Sequence, residues 1–201
     1  MTAELFDLKS VTGYLKQGGV VLAPTDTVWG LMCDFENRSG LNKILNLKHS
    51  QSRPFALLFD DWGKSESFGL VIPDYVAKLA AKFWPGAMTI VLKSASPRIG
   101  YVAGPGNTIG IRIPAVAELL YLINEFGKPL AATSANFTGQ PAAAALSQIP
   151  DEIKKNVDVI YNISVELSGT ASTVIDCTGP AYKIIRQGDI KNDNIEAVVA
   201  N

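Results

Sequence analysis

The sequence predicts an α/β fold: a single domain with a twisted, open, mixed sheet flanked by helices. Three observations carry that prediction. Segments with apolar residues at helical spacing alternate along the chain with short, β-rich apolar runs. Hydrophobic residues make up 47% of the 201 and charged residues 18%, with mean hydropathy +0.16, which suits one sizeable core and not a disordered chain. Polar residues gather just after the apolar runs, where open α/β sheets place ligands.

Leu8, Val11 and Leu15 share one helical face, and Gly18-Gly19 stops that helix. Val20–Ala23 follows as a short buried strand closed by Pro24, with Pro24-Thr25-Asp26-Thr27 as a loop. Leu41, Ile44, Leu45 and Lys48 mark a helix ending near His49-Ser50, and Phe55–Phe59 is the next strand. Pro73 suits the first turn of a helix carrying Val76, Leu79, Ala80 and Phe83, which Trp84-Pro85-Gly86 terminates. Met88–Leu92 and Thr108–Ile113 are strands, the second broken by Pro114. Val116, Leu119, Leu120 and Ile123 define a helix that stops at Gly127, and Pro129–Ala132 is a strand leading into Thr133-Ser134-Ala135-Asn136. Leu146–Lys155 has a helical pattern; Val157–Ile160, Thr173–Ile175 and Lys183–Ile185 are short strands. No repeat or linker interrupts the chain, so residues 1–201 are expected to form one domain with its core at about 8–190.

Eighteen Lys and Arg against 19 Asp and Glu leave a net charge of −1, with a pI near 5.8. The chain is therefore no general polycation for DNA or a membrane surface, and any nucleic-acid contact needs a local patch. Two cysteines, Cys33 and Cys177, lie too far apart in sequence for a zinc motif or a disulfide framework, which points to a reducing compartment. His49 is the only histidine, so chemistry needing two is excluded. The first ten residues lack the basic and apolar regions of a signal peptide, and the longest apolar runs are strand-length. A cytoplasmic protein without membrane, DNA or protein-held metal is expected.

Four polar clusters are candidates for chemistry: Thr25-Asp26-Thr27, Lys48 with Arg53, Thr133-Ser134-Ala135-Asn136, and Ser172-Thr173 with Arg186. Thr108 and Arg112 add a strand that carries a cation. Each has a structural alternative. Thr25 to Thr27 can close a turn on their own backbone, Lys48 and Arg53 can be solvated loop charges, and Ser134 and Asn136 can cap the next segment. Arg112 stands between Ile111 and Ile113, and a guanidinium in that setting needs an anion, either Asp26 or a ligand. There is no phosphate-binding G-x-x-x-x-G-K-[ST] loop and no G-x-G-x-x-G after a strand, and Gly104-Pro105-Gly106 precedes no helix. A bound nucleotide would be held by side-chain hydroxyls, an amide and dispersed cations.

The segment Ala23-Pro24-Thr25-Asp26-Thr27-Val28-Trp29-Gly30-Leu31 resembles the P-T-[DE]-T-V-Y-G-L signature of the YrdC/Sua5 family, the threonylcarbamoyl-AMP synthases. Further matches follow in family order: Phe83-Trp84-Pro85-Gly86 with Thr89–Leu92, Thr108–Pro114, Thr133–Gly139, Ser172–Asp176 and Ile185–Gly188. The resemblance implies a YrdC/RibB-like sheet with a deep, cationic cleft, and no C-terminal Sua5 domain in a chain of this length. It implies condensation of L-threonine, bicarbonate and ATP to threonylcarbamoyl-adenylate and pyrophosphate. Transfer machinery would then carry the carbamoyl group to tRNA, making N6-threonylcarbamoyladenosine (t6A). ATP enters as substrate, with Mg²⁺ held mainly by its phosphates.

By the same resemblance, Thr25, Trp29, Arg112, Ala132 and Ser172 would bind threonine, with Trp29 where the family usually has Tyr. Lys48, Thr108, Ser134, Asn136 and Arg186 would bind the nucleotide. Lys48, Arg53, Ser134 and Asn136 would be the catalytic set. One departure is plain: the family's K-G-R-P-x-x-K-P-L reads Lys48-His49-Ser50-Gln51-Ser52-Arg53-Pro54-Phe55 here, with Ser50 in place of Arg. Arg53 then stands in for one of the two missing basic residues. The competing expectation is an RNA-binding, YciO-like paralogue without this activity.

Overall fold

The computed structural model describes residues 7–50 and 55–200. The helices expected from spacing before residue 130 all form. Helix α1 (Leu8–Lys16) is capped by the Asp7 carboxylate accepting from the Ser10 N–H, and α2 (Arg38–Leu47) by Asn37 accepting from the Gly40 N–H. Pro73 is the N-cap of α4 (Asp74–Phe83), and Gly127 closes α5 (Ala117–Phe126) at φ 79°, a left-handed position that suits glycine. A short α3 (Trp62–Glu66) had no periodic signal. The 146–155 stretch is two pieces, a 3₁₀ turn at Leu146–Gln148 and α6 (Asp151–Asn156), because Pro150 cannot continue a helix begun before it. Beyond 190, α7 (Asn192–Val199) packs against α4 and buries Ile195.

The strands are β1 (Val21–Pro24), β2 (Trp29–Asp34), β3 (Ala56–Leu58), β4 (Leu70–Val71), β5 (Met88–Ser94), β6 (Thr108–Arg112), β7 (Leu130–Ser134), β8 (Val159–Ile160), β9 (Thr173–Asp176) and β10 (Lys183–Arg186). They make one mixed sheet in the order β10-β9-β5-β6-β3-β7-β2-β1-β8, with β4 beside β5. β2 was not legible as a strand. It forms because Thr25–Val28 is a tight turn that folds Trp29–Asp34 back antiparallel on β1, with Pro24 opposite Trp29.

Side-chain alternation divides the core by sheet face. Leu22, Leu31, Leu57, Ile90, Ile111 and Ile175 point to one face, under α2, α4 and α7. Val21, Met32, Leu58 and Leu130 point to the other, under α1 and α5. That second face is covered at one end only. Across its uncovered middle the register aligns Met32, Ala132, Ala56, Gly110 and Val91 in one row. Three small residues side by side on adjacent strands leave a trough. The chain from β8 to β9, residues 161–172, crosses this face and is pinned by Ser168 N–H to Asp26 O (2.9 Å) and Gly169 N–H to Thr27 O (2.9 Å).

After β10 the chain turns back beneath that crossing segment. Thr173 Oγ1 accepts from the N–H groups of Gly188 (3.0 Å) and Ile190 (3.1 Å) and donates to Ile190 O (2.7 Å). A Cβ on Gly188 would lie 2.1 Å from Ala171 O and 2.5 Å from the Ser172 carbonyl carbon. Gly188→Ala is therefore expected to cost about 3 kcal/mol or more, since neither backbone can yield without moving β9. Gly179→Ala, whose nearest neighbour is Ala181 O at 3.9 Å, should be close to neutral. Urea unfolding of the two variants checks the contrast.

Candidate active site

The trough is the floor of a cavity of about 490 Å³, within the range of small-molecule sites. Its lining includes Thr25, Trp29, Lys48, Arg112, Ala132, Ser134, Asn136, Ser172 and Arg186, so nine of the expected site residues meet in one place. Thr108 is not among the lining residues; it lies on the same face of β6, two positions beyond Gly110, and its hydroxyl donates to Pro105 O (3.0 Å). Arg53 falls outside the described residues.

Arg112 ends β6 and is 6% exposed. Its Nε donates to Gly86 O (2.9 Å), Nη1 to Thr27 Oγ1 (2.9 Å) and Nη2 to Asp26 Oδ1 (2.7 Å). Both readings of Arg112 bear on this geometry: Asp26 is its partner, and two of its five N–H donors remain uncommitted among the described residues. Burial lowers its pKa, and Asp26 opposes that shift. Thr25 Oγ1 donates to Val28 O (2.7 Å), so the bond between Thr25 and Thr27 hydroxyls (2.9 Å) takes its proton from Thr27. A directed chain results, from Arg112 through Thr27 and Thr25 to the Val28 carbonyl. The Thr25 hydroxyl is thus spent within its own turn.

Lys48 follows α2 and is 3% exposed. Its ammonium donates to Ser134 O, to Asn136 O (2.8 Å) and more weakly to Asn136 Oδ1 (3.4 Å). In return the Thr138 N–H and hydroxyl both donate to Lys48 O at 3.0 Å. Asn136 Nδ2 ties the loop by donating to Phe137 O (3.0 Å) and Gln140 O (2.6 Å). Asn136 therefore shapes the Lys48 cradle with both ends of its amide. All of Lys48's acceptors are neutral, and burial lowers its pKa to about 8. His49, at φ 51°, stacks on Phe137 with ring centroids 4.7 Å apart and meets Glu152 at 3.2 Å, away from the lining.

Arg186 rests its guanidinium on Ser172, Nε and Nη2 donating to Ser172 O (3.1 and 2.8 Å) and Nη2 to Ser172 Oγ (3.1 Å). Partial burial of its head group, and then the like charge of Arg112, lower its pKa. Of the three cations in the lining, only Arg112 has a carboxylate partner among the described residues. Ala132 sits mid-sheet between Met32 and Ala56, where the ladder takes its backbone groups and its methyl faces the cavity. Trp29 lines one wall at 4% exposure.

Sequence reasoning passed over Thr27 and Gly86 as partners of Arg112, Thr138 as the anchor of Lys48, and Thr89 on the cavity floor. The signal available was parity: Thr89 and Val91 share a face of β5, as Gly110 and Arg112 share one of β6. Cys33 and Cys177 are both buried and free, and no helix among the described residues is long and apolar enough to cross a membrane.

The profile of the Sua5/YciO/YrdC family, described as telomere recombination, matches residues 13–188. A Vibrio vulnificus protein named threonylcarbamoyl-AMP synthase is 31% identical over 90% of this chain and 98% of its own length. A Bacillus subtilis protein of the same name is 32% identical over 92% of this chain, which spans only 54% of that relative. The crystal structure of Pyrococcus abyssi Sua5 complexed with L-threonine superposes with a TM-score of 0.86 at 29% identity, covering 95% of this chain and 56% of that one.

Removing Asp26 would strand the Arg112 charge in a nearly dry setting. Asp26→Ala is expected to lose about 3 kcal/mol in urea unfolding, the cost of breaking a buried pair from one side. Adding Arg112→Met should recover part of that loss; a double variant less stable than the single would contradict the pairing energetics.

Proposed function

The chain belongs to the Sua5/YciO/YrdC family, and from that membership we propose that its cavity condenses L-threonine, bicarbonate and ATP into threonylcarbamoyl-adenylate and pyrophosphate. The observation that carries this reading is the charge pattern of the lining: Lys48 and Arg186 without a carboxylate partner among the described residues, beside Arg112 offset by Asp26. Polyanionic phosphates suit the first two. A single carboxylate suits the spare N–H groups of Arg112, because charge-assisted hydrogen bonds from a guanidinium to a carboxylate are strong. On this reading the cleft is cationic, threonine lies against Arg112, Ser172, Trp29 and Ala132, and the triphosphate reaches Lys48 and Arg186. Ser134 and Asn136 act through the Lys48 cradle, and Arg53 completes the catalytic set. Thr108 is met only by a ligand extending about 7 Å past Gly110 along β6. Thr25 contributes by shaping the turn that carries Asp26 and Thr27.

The threonine amine attacks the bicarbonate carbon and water leaves, giving the carbamate. A carbamate oxygen then attacks the α-phosphorus of ATP, and pyrophosphate carries away the bonding pair. No covalent enzyme intermediate is needed, so the residues serve by holding reactants in line and stabilising charge on phosphate oxygens. Mg²⁺ would arrive with the nucleotide, held by phosphate oxygens and water; the cavity's hydroxyls and cations suit such a complex. The product, a mixed anhydride, would pass to the t6A transfer machinery and tRNA. The RNA-binding alternative is not favoured: duplex RNA needs exposed cations, whereas Lys48 and Arg112 are 3% and 6% exposed.

The direct test supplies ATP, labelled bicarbonate and each amino acid in turn. Pyrophosphate release should require both bicarbonate and threonine; release equal with and without threonine would sink the reading. Lys48 provides a second test. As pH rises past about 8 the free protein loses the Lys48 proton, while bound phosphate holds it. ATP affinity should therefore fall above pH 8, with up to one proton taken up per ATP bound. In Lys48→Met the affinity should be weak and flat over that range by calorimetry.

A further inference from the structure

Thr89 lies on the cavity floor at 6% exposure. The β5–β6 register pairs Ile90 with Ile111, so one step along places Thr89 opposite Arg112 on the cavity face. Its methyl leans over Gly110, where a Cβ would meet Thr89 Cγ2 at 3.1 Å. Its hydroxyl meets Ser172 Oγ at 2.9 Å, and Ser172 Oγ also accepts from Arg186 Nη2 at 3.1 Å. Each branch of the Thr89 Cβ thus has its own neighbour, the methyl Gly110 and the hydroxyl Ser172.

The two hydroxyls carry two protons; one spans the pair, and the other has no acceptor among the described residues. The hydroxyls of Thr25 and Thr138, by contrast, donate to protein carbonyls, and that of Thr27 donates to Thr25. Arg186 donating into Ser172 polarises the pair and makes the spare proton a stronger donor. Both hydroxyls line the cavity together with Arg112, which keeps two uncommitted N–H groups among the described residues.

We propose that Thr89 is a further substrate-binding residue: the Thr89–Ser172 hydroxyl pair donates to the same amino-acid carboxylate that Arg112 holds. This rests on the reading of the cavity as an amino-acid site. Three donors converge on one carboxylate, fixing its plane and hence the direction of the neighbouring amine. The β-substituent of the amino acid is not read by this pair, so substrates with and without a β-hydroxyl should respond alike.

The test is calorimetric binding of L-threonine, L-2-aminobutyrate and ATP to the full chain and to Thr89→Val, Thr89→Ser and Ser172→Ala, with melting temperatures alongside. Thr89→Val keeps the branched shape and should weaken both amino acids about tenfold or more, the loss of one hydrogen bond to a charged group. Thr89→Ser should restore affinity, ATP binding should be unmoved in Thr89→Val, and Thr89→Val with Ser172→Ala should cost little more than either alone. Unchanged threonine affinity in Thr89→Val overturns the proposal, as does a loss for threonine that spares 2-aminobutyrate. If Thr89→Val does not fold, Ser172→Ala carries the same expectation for the amino acids and the same refutation. A parent protein that binds neither amino acid nor ATP would instead overturn the functional reading beneath it.

Discussion

Burying the Arg112 guanidinium near the middle of a sheet is the constraint around which the molecule is arranged. An unpaired charge there would cost several kcal/mol, so the fold must deliver an anion and further acceptors to one point. It does so with three acceptors from two separate segments: Asp26 and Thr27 from the β1–β2 turn, and Gly86 from the α4–β5 connection. The turn is then held by Thr25 on its own backbone and by the segment 161–172, whose Ser168 and Gly169 N–H groups bond the carbonyls of Asp26 and Thr27. The motifs separated by dozens of residues in sequence are, in the fold, the supports of one cation.

The second arrangement is negative space. Ala132, Ala56 and Gly110 stand in register on β7, β3 and β6, on the face that α1 and α5 cover only in part. Larger side chains would fill that ground with core, as Leu58 and Leu130 do one row away. Central strands give the floor its rigidity, because each is paired on both sides and cannot shift alone.

The two most buried cations among the described residues differ in kind. Arg112 is offset by a carboxylate and is part of the framework; Lys48 rests on neutral carbonyl oxygens and keeps an uncompensated charge. Carbonyl dipoles hold an ammonium in place without neutralising it, and in a partly dry cavity the remaining field acts on whatever anion enters. That division between a cation offset by the framework, with N–H groups to spare, and one left uncompensated suits chemistry in which phosphate charge must be stabilised and no nucleophile is supplied by the protein.

Local physics was legible in the sequence. Helix spacing with its caps and stops, apolar strand runs, and polar residues just after the strands placed α1, α2, α4, α5 and most of the sheet correctly, because these signals act over a few residues. Motif order then pointed to the family before any fold was known. What lay beyond reach depended on contacts between distant segments. β2 is a strand because β1 and β7 flank it, and α7 is recognisable by the partner it packs on. Whether Arg112 meets Asp26 or is left to a ligand could not be read from two residues 86 positions apart. Thr89 looked like one more β-branched residue in a strand until the fold set Ser172, 83 positions on, against its hydroxyl. Propensity and periodicity are properties of neighbours along the chain; a hydrogen bond's partner is a property of neighbours in space, and only packing chooses those.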